Sequence, residues 1–360
     1  MVHERPAVAI NPFCDTHYTE HLAPLCVLMN IPLLLGDEDQ VEAARRYYPG
    51  LDARFIHYDD LTPDYIMKNY DVVFRSDIWK MDIIWDKFLP LEQRYGKRLR
   101  CVHCPHGFSD KTFWFAEMAH EDICLLYGDA FVDMLTECKA LDTMRRHVIT
   151  GNVRYRYYQK HRTALDAIVD KEVFSQFPKQ QRTVLYAPTW NDREESSSFF
   201  DAIQAVASGL PSDLNLLVKL HPHMALNEPS RLYQLMGACE QRPNIVFLED
   251  YPLVYPLLAK ADLYLGDRSS VGYDFLAFNR PMFFLDQKGL QSHGDRRSYL
   301  YRCGTVIAPA DYSKTFSIIE TGLARDSDYT AERQRVYDYV FAKDTSSEQT
   351  RAALIAAYQG

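Results

Sequence analysis

The chain has 360 residues, of which 47% are hydrophobic, and its 40 Lys and Arg residues stand against 49 Asp and Glu residues. This length exceeds what one hydrophobic core usually organises, and the apolar content is enough to bury a sizeable interior, so we predict about two folded domains. The formal net charge of -9 gives no overall attraction to nucleic acid or anionic lipid. It excludes a protein that acts through a basic surface spread over its whole length.

The first residues, MVHERPAVAINPF, contain no basic segment followed by an apolar core, and no part of the sequence approaches about 18 uninterrupted apolar residues. We therefore expect a cytoplasmic protein. Eight cysteines are scattered along the chain. Because a chain this long and apolar has little need of disulfide bonds, free thiols in a reducing compartment are expected.

Short apolar runs alternate with segments of helical length along the whole sequence. Strands that are buried on both faces of a parallel sheet read as such runs, and the helical lengths supply the crossover connections. The pattern predicts an α/β protein with two doubly wound domains. The predicted strands are the runs at 7–10, 31–36, 53–58, 71–76, 99–104, 122–128 and 147–151 in the first half, and at 183–189, 215–222, 244–250, 261–267, 282–286 and 304–309 in the second.

Charge and helix-forming residues between 152 and 180 indicate the junction of the two domains. We predict domains at 1–165 and 166–330, followed by a helical tail at 331–360 that is interrupted near FAKDTSSEQ. Ser346 or Ser347 is expected to cap the last helix, with Glu348 and Gln349 in its first turn.

The segment CVHCPHGFSDK, which begins at Cys101, places two cysteines and two histidines within six positions. From these residues alone three interpretations are open: a structural zinc site, buried or incidental side chains, and a catalytic histidine. Cys101 and Cys104 have the gap of a zinc knuckle, but no second ligand cluster is evident. His106 follows the end of a predicted strand, where ligands gather in open α/β sheets, with Pro105 fixing the turn and Gly107 allowing close backbone approach. This position favours His106 as a group that accepts a hydroxyl proton.

Two further features bring positive charge to predicted strand ends. Lys111 can offset phosphate charge, or it is a solvated helix lysine. In NLLVKLHPH, Lys219 and His221 alternate at the end of a strand. They present a cation and a hydrogen-bond donor to one crevice, or they are polar residues of an exposed strand face.

The segment ADLYLGDRSSVGYDFLAFNRP, at 261–281, reads as a strand, a turn and an apolar helix. The turn contains Asp267, Arg268, Ser269 and Ser270. Two hydroxyl groups and free N–H groups at a helix start form an anion site that suits a pyrophosphate. Plain N-capping by one serine is the alternative.

A basic stretch, RRHVITGNVRYRYYQKHR, runs from 145 to 162 and contains no acidic residue. Its tyrosines alternate with basic residues such as Arg154. Three interpretations are open: single-stranded nucleic acid, a polyanionic acceptor or membrane headgroup surface, and a solvated helix face.

Taken in order, these segments resemble the CDP-glycerol glycerophosphotransferase family, whose enzymes build teichoic-acid-like poly(polyol phosphate) chains. The likeness spans about 106 to 286. Three residues depart from the family pattern, namely Arg268 for Tyr, Asn191 for Arg and Val153 for Pro. The motifs that carry the resemblance are HGFSDK for HG-x-x-x-K, GNVRYR for G-x-P-R, LYAPTWND for YAPTWR, VKLHP for K-x-HP, and ADLYLGDRSSVGYDFLAFNRPMFFL for AD-x-x-x-x-DYSS-x-x-x-D-x-x-x-x-x-RP.

The resemblance implies the glycosyltransferase B architecture, in which two Rossmann-like domains face a cleft, with the nucleotide donor on the C-terminal domain and the acceptor on the N-terminal one. By position, His106 resembles the base that deprotonates the acceptor, and His221 resembles a second essential histidine near the donor phosphates. The implied donor-binding residues are Thr189, Lys219, Asp267, Arg268, Ser269, Ser270 and Asp274, and the implied acceptor- or phosphate-binding residues are Gly107, Lys111 and Arg154.

The expected activity is transfer of a polyol phosphate from a CDP-activated donor to a hydroxyl of a polyanionic or lipid-linked acceptor, with release of CMP, in the synthesis of a cell-surface glycopolymer. We expect no cofactor, no obligatory metal and no nucleic acid partner, with peripheral contact at the inner face of the membrane. Two alternatives remain: a glycosyltransferase of the same architecture that uses a CMP- or UDP-sugar for capsule or lipopolysaccharide, and a non-catalytic nucleotide-binding protein.

Overall fold

A computed structural model describes residues 6–77, 83–111, 115–191, 197–239, 241–287, 296–342 and 345–359. Contacts between residues divide the chain into two compact units. The first unit comprises Met1–Phe108, Thr112–His161 and Tyr339–Gly360, and the second comprises Ser109–Lys111 and Arg162–Asp338.

The first unit is built on a seven-stranded sheet in which the paired neighbours are parallel. Its strands are β1 (Ala7–Asn11), β2 (Leu33–Leu35), β3 (Ala53–Phe55), β4 (Val72–Arg75), β5 (Arg100–His103), β6 (Ile123–Leu126) and β7 (His147–Ile149). Their order across the sheet is β3-β2-β1-β4-β5-β6-β7. The direction in which strands are added therefore reverses between β1 and β4, which is the switch point of this sheet.

The second unit has a six-stranded parallel sheet of the same kind. Its strands are β8 (Arg182–Ala187), β9 (Leu214–Lys219), β10 (Ile245–Leu248), β11 (Leu263–Gly266), β12 (Met282–Leu285) and β13 (Thr305–Ile307). Their order is β10-β9-β8-β11-β12-β13, so the switch point lies between β8 and β11.

Helices connect successive strands in both units. The α-helices are α1 (Thr16–Met29), α2 (Glu38–Tyr47), α3 (Pro63–Asn69), α4 (Leu89–Tyr95), α5 (Asp129–Glu137), α6 (Val153–Glu172), α7 (Phe199–Gly209), α8 (Pro222–Asn227), α9 (Pro229–Gly237), α10 (Val254–Lys260), α11 (Ser270–Phe275), α12 (Thr315–Leu323), α13 (Ser327–Phe341) and α14 (Ser347–Gln359). Short 3₁₀ helices lie at Tyr58–Asp60, Phe115–His120, Phe174–Gln176, Leu276–Phe278, Arg296–Cys303 and Pro309–Lys314, and a π-helix lies at Ile83–Phe88.

Each of the thirteen predicted runs contains a strand, so the predicted α/β class with two doubly wound sheets is confirmed. The runs are continuous rather than alternating because side chains on both faces of a strand are buried. In β4, for example, Val72, Val73 and Phe74 are all buried. Helices cover both faces of such a sheet, which leaves no solvent face on which polar residues could alternate.

Apart from Ser109–Lys111, the chain passes from the first unit to the second within α6 and returns within α13. Within the predicted helical tail at 331–360, the last residues, Tyr339–Gly360, group with the first unit. One contact that holds them there joins the hydroxyl of Thr350 in α14 to the backbone oxygen of Thr150, 3.2 Å away.

The start of α14 agrees with the predicted cap. The hydroxyl of Ser346 accepts a hydrogen bond from the backbone N–H of Gln349 at 3.1 Å, and the Gln349 side chain accepts one from the N–H of Ser346 at 2.8 Å. This reciprocal pair is a capping box. Residues 343 and 344 of the predicted interruption lie outside the described residues.

Within the described ranges, no helix is both long enough and apolar enough to cross a membrane.

Candidate active site

His106 lies three residues beyond the end of β5, on the carboxyl side of the first sheet. Its side chain is exposed. The centroid of its ring is 4.9 Å from that of Tyr18 and 5.5 Å from that of His17, and both of these residues lie in the first turn of α1. Gly107 has φ 123°, a backbone conformation that favours glycine. The first unit therefore presents an accessible histidine on a tight turn, beside two aromatic rings.

The cysteines next to this turn are not arranged as metal ligands. Cys101 and Cys104 are both buried free thiols. Burial raises the pKa of Cys101 to about 12 and raises that of Cys104 well above its usual value, so both thiols stay protonated. Burial also lowers the pKa of His103 to about 3. Among the described residues no group of three or more His, Cys, Asp and Glu side chains could hold a metal ion. The two thiols are thus buried in the first unit, whereas His106 is accessible.

Arg154 does not lie on an exposed basic surface, because its guanidinium is buried. Its Nη2 donates to Glu20 Oε1 at 2.6 Å, and its Nε donates to the same oxygen at 3.1 Å. The nearby Arg156 donates to the backbone oxygen of Thr150 at 2.9 Å. Both arginines thus make contacts inside the first unit, which the charge pattern of an exposed helix face does not predict.

In the second unit, four side chains meet at the switch point between β8 and β11. Asp267, directly after β11, accepts a hydrogen bond from the backbone N–H of Thr189 at 2.9 Å. It also accepts from the N–H and the hydroxyl of Ser198, at 2.9 and 2.8 Å. The Nζ of Lys111 donates to Thr189 Oγ1 at 2.7 Å, and Lys111 is buried, so it is not a solvated helix lysine. A lysine and a carboxylate are thus fixed where open α/β sheets bind their ligands.

The turn that follows β11 is stabilised by hydrogen bonds that its side chains make with other groups of the protein. Burial raises the pKa of the Asp267 carboxyl, and the hydrogen bonds from Ser198 and Thr189 and the charge of Lys111 oppose this shift. Ser269 is the N-cap of α11, and its hydroxyl accepts from the N–H of Val271 at 3.4 Å. The predicted capping interpretation therefore applies to this serine.

The other predicted residues of this segment have different surroundings. Ser270 is partly exposed, whereas Arg268 is buried. Asp274, also buried, accepts a hydrogen bond from the hydroxyl of Tyr255 at 2.9 Å. The carboxylate of Asp274 is thus engaged by the protein, and among these three side chains the Ser270 hydroxyl is the most accessible group.

His221 lies two residues beyond β9 and is the N-cap of α8. Its ring Nδ1 accepts a hydrogen bond from the backbone N–H of His223 at 3.2 Å. Because an accepting nitrogen carries no proton, the proton of the neutral ring lies on Nε2. The ring centroid is 6.1 Å from that of Trp190, and Lys219 is the last residue of β9. The neutral ring of His221 can therefore donate a hydrogen bond from Nε2, whereas its Nδ1 is not available as a base.

Asp110 was not singled out by the sequence, because it is one of the variable positions in HG-x-x-x-K. Its side chain is buried in the second unit, where it accepts hydrogen bonds from the hydroxyl of Tyr273 and, at 3.2 Å, from the N–H of Leu300. Burial raises the pKa of Asp110 to about 6, although these hydrogen bonds and the charge of Arg268 oppose the shift. The six-residue motif is thus divided, with His106 in the first unit and Ser109–Lys111 in the second.

The raised pKa of Asp110 makes the stability of the second unit depend on pH. A carboxyl whose pKa rises from 3.8 unfolded to about 6 folded stabilises the fold below pH 3.8, and this contribution is lost as the pH rises through about 6. The amide side chain of the Asp110→Asn variant does not titrate. From pH 4 to pH 7.5 the variant should therefore gain about 2 kcal/mol of unfolding free energy relative to the wild type. Urea unfolding of both proteins at the two pH values measures this difference, and parallel pH dependences would contradict it.

The structure brings together one subset of the predicted site residues. Lys111, Thr189 and Asp267 form one hydrogen-bonded group in the second unit. His106 and Gly107 share a turn in the first unit, where Arg154 pairs instead with Glu20. The sequence did not single out Ser198, since an isolated serine before a helix suggests only a cap.

These features define the class of protein. Two parallel, doubly wound sheets, the second of which has charged side chains at its switch point, are those of a two-domain α/β protein of the glycosyltransferase B type. In agreement with this class, the wall teichoic acid polymerase TagF has a solved structure that superposes with a TM-score of 0.63 at 13% identity, covering 98% of this chain and 88% of that one.

The family follows from a sequence model described as CDP-Glycerol:Poly(glycerophosphate) glycerophosphotransferase, which matches residues 141–353. Since this match covers more than half of the chain, the protein belongs to that family. A teichoic acid ribitol-phosphate primase of Bacillus spizizenii is 25% identical over 215 residues, which are 57% of this chain and 51% of the primase. A teichoic acid glycerol-phosphate primase of the same organism is 34% identical over 110 residues, which are 30% of this chain and 26% of that primase. The matched region thus spans about half, or less, of the length of these curated relatives.

Proposed function

We propose that this protein transfers a polyol phosphate from a CDP-activated donor to an acceptor hydroxyl, releasing CMP, in the synthesis of a wall-teichoic-acid-type polymer. The acceptor oxygen attacks the phosphorus that carries the polyol, the bond from that phosphorus to CMP breaks, and the hydroxyl proton passes to a base. The names of the two curated relatives contain ribitol phosphate and glycerol phosphate. They support a polyol phosphate as the transferred group.

One observation carries this proposal. Residues that the family motifs single out, Thr189 and Asp267, are hydrogen-bonded to each other at the switch point of the second sheet, and Lys111 of a third motif donates to Thr189. Three sequence segments that are far apart in the chain thus meet at the place where such sheets bind nucleotides. Lysine is rarely buried in proteins, so its presence beside Asp267 supports a site for an anionic ligand here.

The chemistry assigns His106 as the general base. It is exposed, it follows β5, and its ring has no place in the packed core. Phosphoryl transfer also requires that charge building on the phosphate oxygens be stabilised. His221 suits this role because its Nδ1 accepts from a backbone amide, which leaves the proton of the neutral ring on Nε2 as a hydrogen-bond donor. The positive charges of Lys111, Lys219 and Arg268 would add to this stabilisation.

We further propose that the second unit binds the donor and the first unit binds the acceptor, in keeping with the predicted domains at 1–165 and 166–330. We also propose a location in the cytoplasm, with peripheral contact at the inner face of the membrane, where a lipid-linked acceptor would be reached. The family membership supports both proposals. Gly107 suits the acceptor side because it lies beside the proposed base.

Binding of the donor is testable by thermal unfolding. CDP-glycerol or CDP-ribitol should raise the melting temperature more than CMP-Kdo or UDP-GlcNAc does, and the increase should grow with the logarithm of the ligand concentration above the Kd. Ser269→Ala combined with Ser270→Ala should remove the difference, because the hydroxyl groups at the start of α11 are lost.

The matched control for this variant is Ser346→Ala. It also removes an N-cap serine, at a cost of about 1 kcal/mol, but it lies at the start of α14 and should leave the donor preference unchanged. Protection by CMP-Kdo or UDP-GlcNAc alone would replace the proposal with the sugar-transferase alternative.

A further inference from the structure

The hydroxyl of Tyr127 touches both residues that flank His106. It donates a hydrogen bond to the backbone oxygen of Pro105 at 2.6 Å, and it accepts one from the backbone N–H of Gly107 at 3.1 Å. One side chain thus closes the turn on which His106 is carried. Since Gly107 has φ 123°, this turn has a conformation that few other residues adopt, and the two hydrogen bonds hold it there.

A third contact fixes the direction of the Tyr127 hydroxyl. Its oxygen lies 3.2 Å from His21 Nδ1. A tyrosine hydroxyl has one proton, and the carbonyl oxygen of Pro105 can only accept, so that proton is committed to Pro105. His21 Nδ1 must therefore be the donor in its contact with Tyr127. Burial and the charge of Arg154 lower the pKa of His21 well below its usual value, which leaves the ring neutral with its one proton on Nδ1.

Rigid elements support this arrangement from two sides. Tyr127 follows β6 directly, and its ring lies 6.0 Å from that of Phe131 and 5.6 Å from that of Phe341. His21 belongs to α1, and the preceding residue, Glu20, is held by the buried ion pair with Arg154 at 2.6 Å. The end of β6 and helix α1 thus hold the Tyr127 hydroxyl in place against the turn that carries His106.

We propose that Tyr127 is a positioning residue for His106, and that His21 orients the Tyr127 hydroxyl for this purpose. The assignment rests on the proposed function in that His106 is taken as the base. Loss of the hydroxyl would free the turn at both Pro105 and Gly107. The imidazole would then lose its fixed position beside Tyr18, without any change at the donor site in the second unit.

The first test is Tyr127→Phe, which removes the hydroxyl and keeps the ring that packs in the core. Because a misplaced catalytic group costs rate rather than donor binding, kcat should fall about 10- to 100-fold while KM for the CDP donor stays within about twofold. The matched control is Tyr157→Phe. Tyr157 is also in the first unit and also donates to a proline carbonyl, that of Pro49 at 2.9 Å. An unchanged kcat in Tyr127→Phe, or an equal fall in both variants, would overturn the proposal.

A second pair of variants tests the same role if Tyr127→Phe does not fold. His21→Asn keeps an N–H donor near the position of Nδ1 and should retain most of the activity, whereas His21→Leu removes the donor and should lower kcat without raising KM. Equal kcat values in the two variants would refute the role of His21 and Tyr127.

A readout that does not depend on the reaction separates this proposal from the proposed function. In a wild-type protein labelled at histidine, NMR gives the ring signals of His106. These signals should shift or split in Tyr127→Phe and coincide with those of the wild type in Tyr157→Phe. If the wild type transfers no polyol phosphate but the His106 signals change as expected, the proposed function fails and the positioning role stands. Coincident His106 signals in all three proteins would overturn the positioning role.

Discussion

Replacement of His106 by alanine is expected to lower kcat by about 10² to 10⁴, the range typical of general acid-base groups, while the protein remains folded. The side chain is exposed and follows the end of β5, so its loss leaves no cavity in the first unit. The acceptor hydroxyl would then lose the side chain that is proposed to receive its proton. A steady-state assay of CMP release, together with thermal unfolding of both proteins, measures the two parts of this expectation.

His147→Ala is the matched control for this substitution. His147 is another exposed histidine of the first unit, at the start of β7 and thus at the opposite end of its strand from the sheet edge that carries His106. Its replacement should leave kcat unchanged. If His106→Ala retains full activity, His106 is not the base.

The second large effect is expected at His221. His221→Ala should lower kcat by about 10² to 10⁴ because the Nε2–H that would stabilise charge on the donor phosphate is lost. This variant also loses the N-cap of α8, so a fall in activity has two explanations. His221→Asn separates them, since asparagine is a good N-cap residue but does not extend a donor to the position of Nε2.

We therefore expect His221→Asn to be as stable as the wild type and nearly as inactive as His221→Ala. His223→Ala serves as the control, because it keeps the backbone N–H that bonds His221 Nδ1 while removing the neighbouring ring. It should change kcat less than about tenfold, a threshold set by the lower end of acid-base effects. Wild-type activity in His221→Asn would assign His221 to the structure of α8 alone.

The strands could be predicted from the sequence because their signal is local. A strand of four to six residues buried on both faces is mostly apolar, as at 72–74 in β4 and at 184–187 in β8, and the polar segments between such strands mark its ends. The cap at Ser346 was predictable for the same reason, since the two residues of a capping box are three positions apart.

Features that depend on contacts between distant segments could not be predicted in the same way. Arg154 reads as part of a basic stretch because its partner, Glu20, is 134 residues away. Asp110 and Lys111 follow a predicted strand end of the first half, yet they bond to Tyr273 and Thr189 in the second unit. The position of α14 in the first unit likewise rests on contacts such as Thr350 with Thr150, 200 residues apart. No periodicity in the sequence records such partners.

The candidate site could be predicted from the sequence only in part. The motifs indicated the residue types at the strand ends, and the structure joins Thr189 to Asp267 as neighbours across the switch point. The charge state and orientation of these groups come from burial and backbone donors. The tautomer of His221, for example, follows from the amide of His223, and the role of Tyr127 follows from a hydroxyl that contacts both sides of the His106 turn.

The most direct test of the proposed transfer is an assay with CDP-glycerol and CDP-ribitol, each labelled in the polyol, and a lipid-linked acceptor. We expect one of these donors to give CMP and labelled acceptor in equal amounts, and His106→Ala to lower the rates of both products together. Release of CMP without label in the acceptor, or product formation only from a CMP- or UDP-sugar, would contradict it.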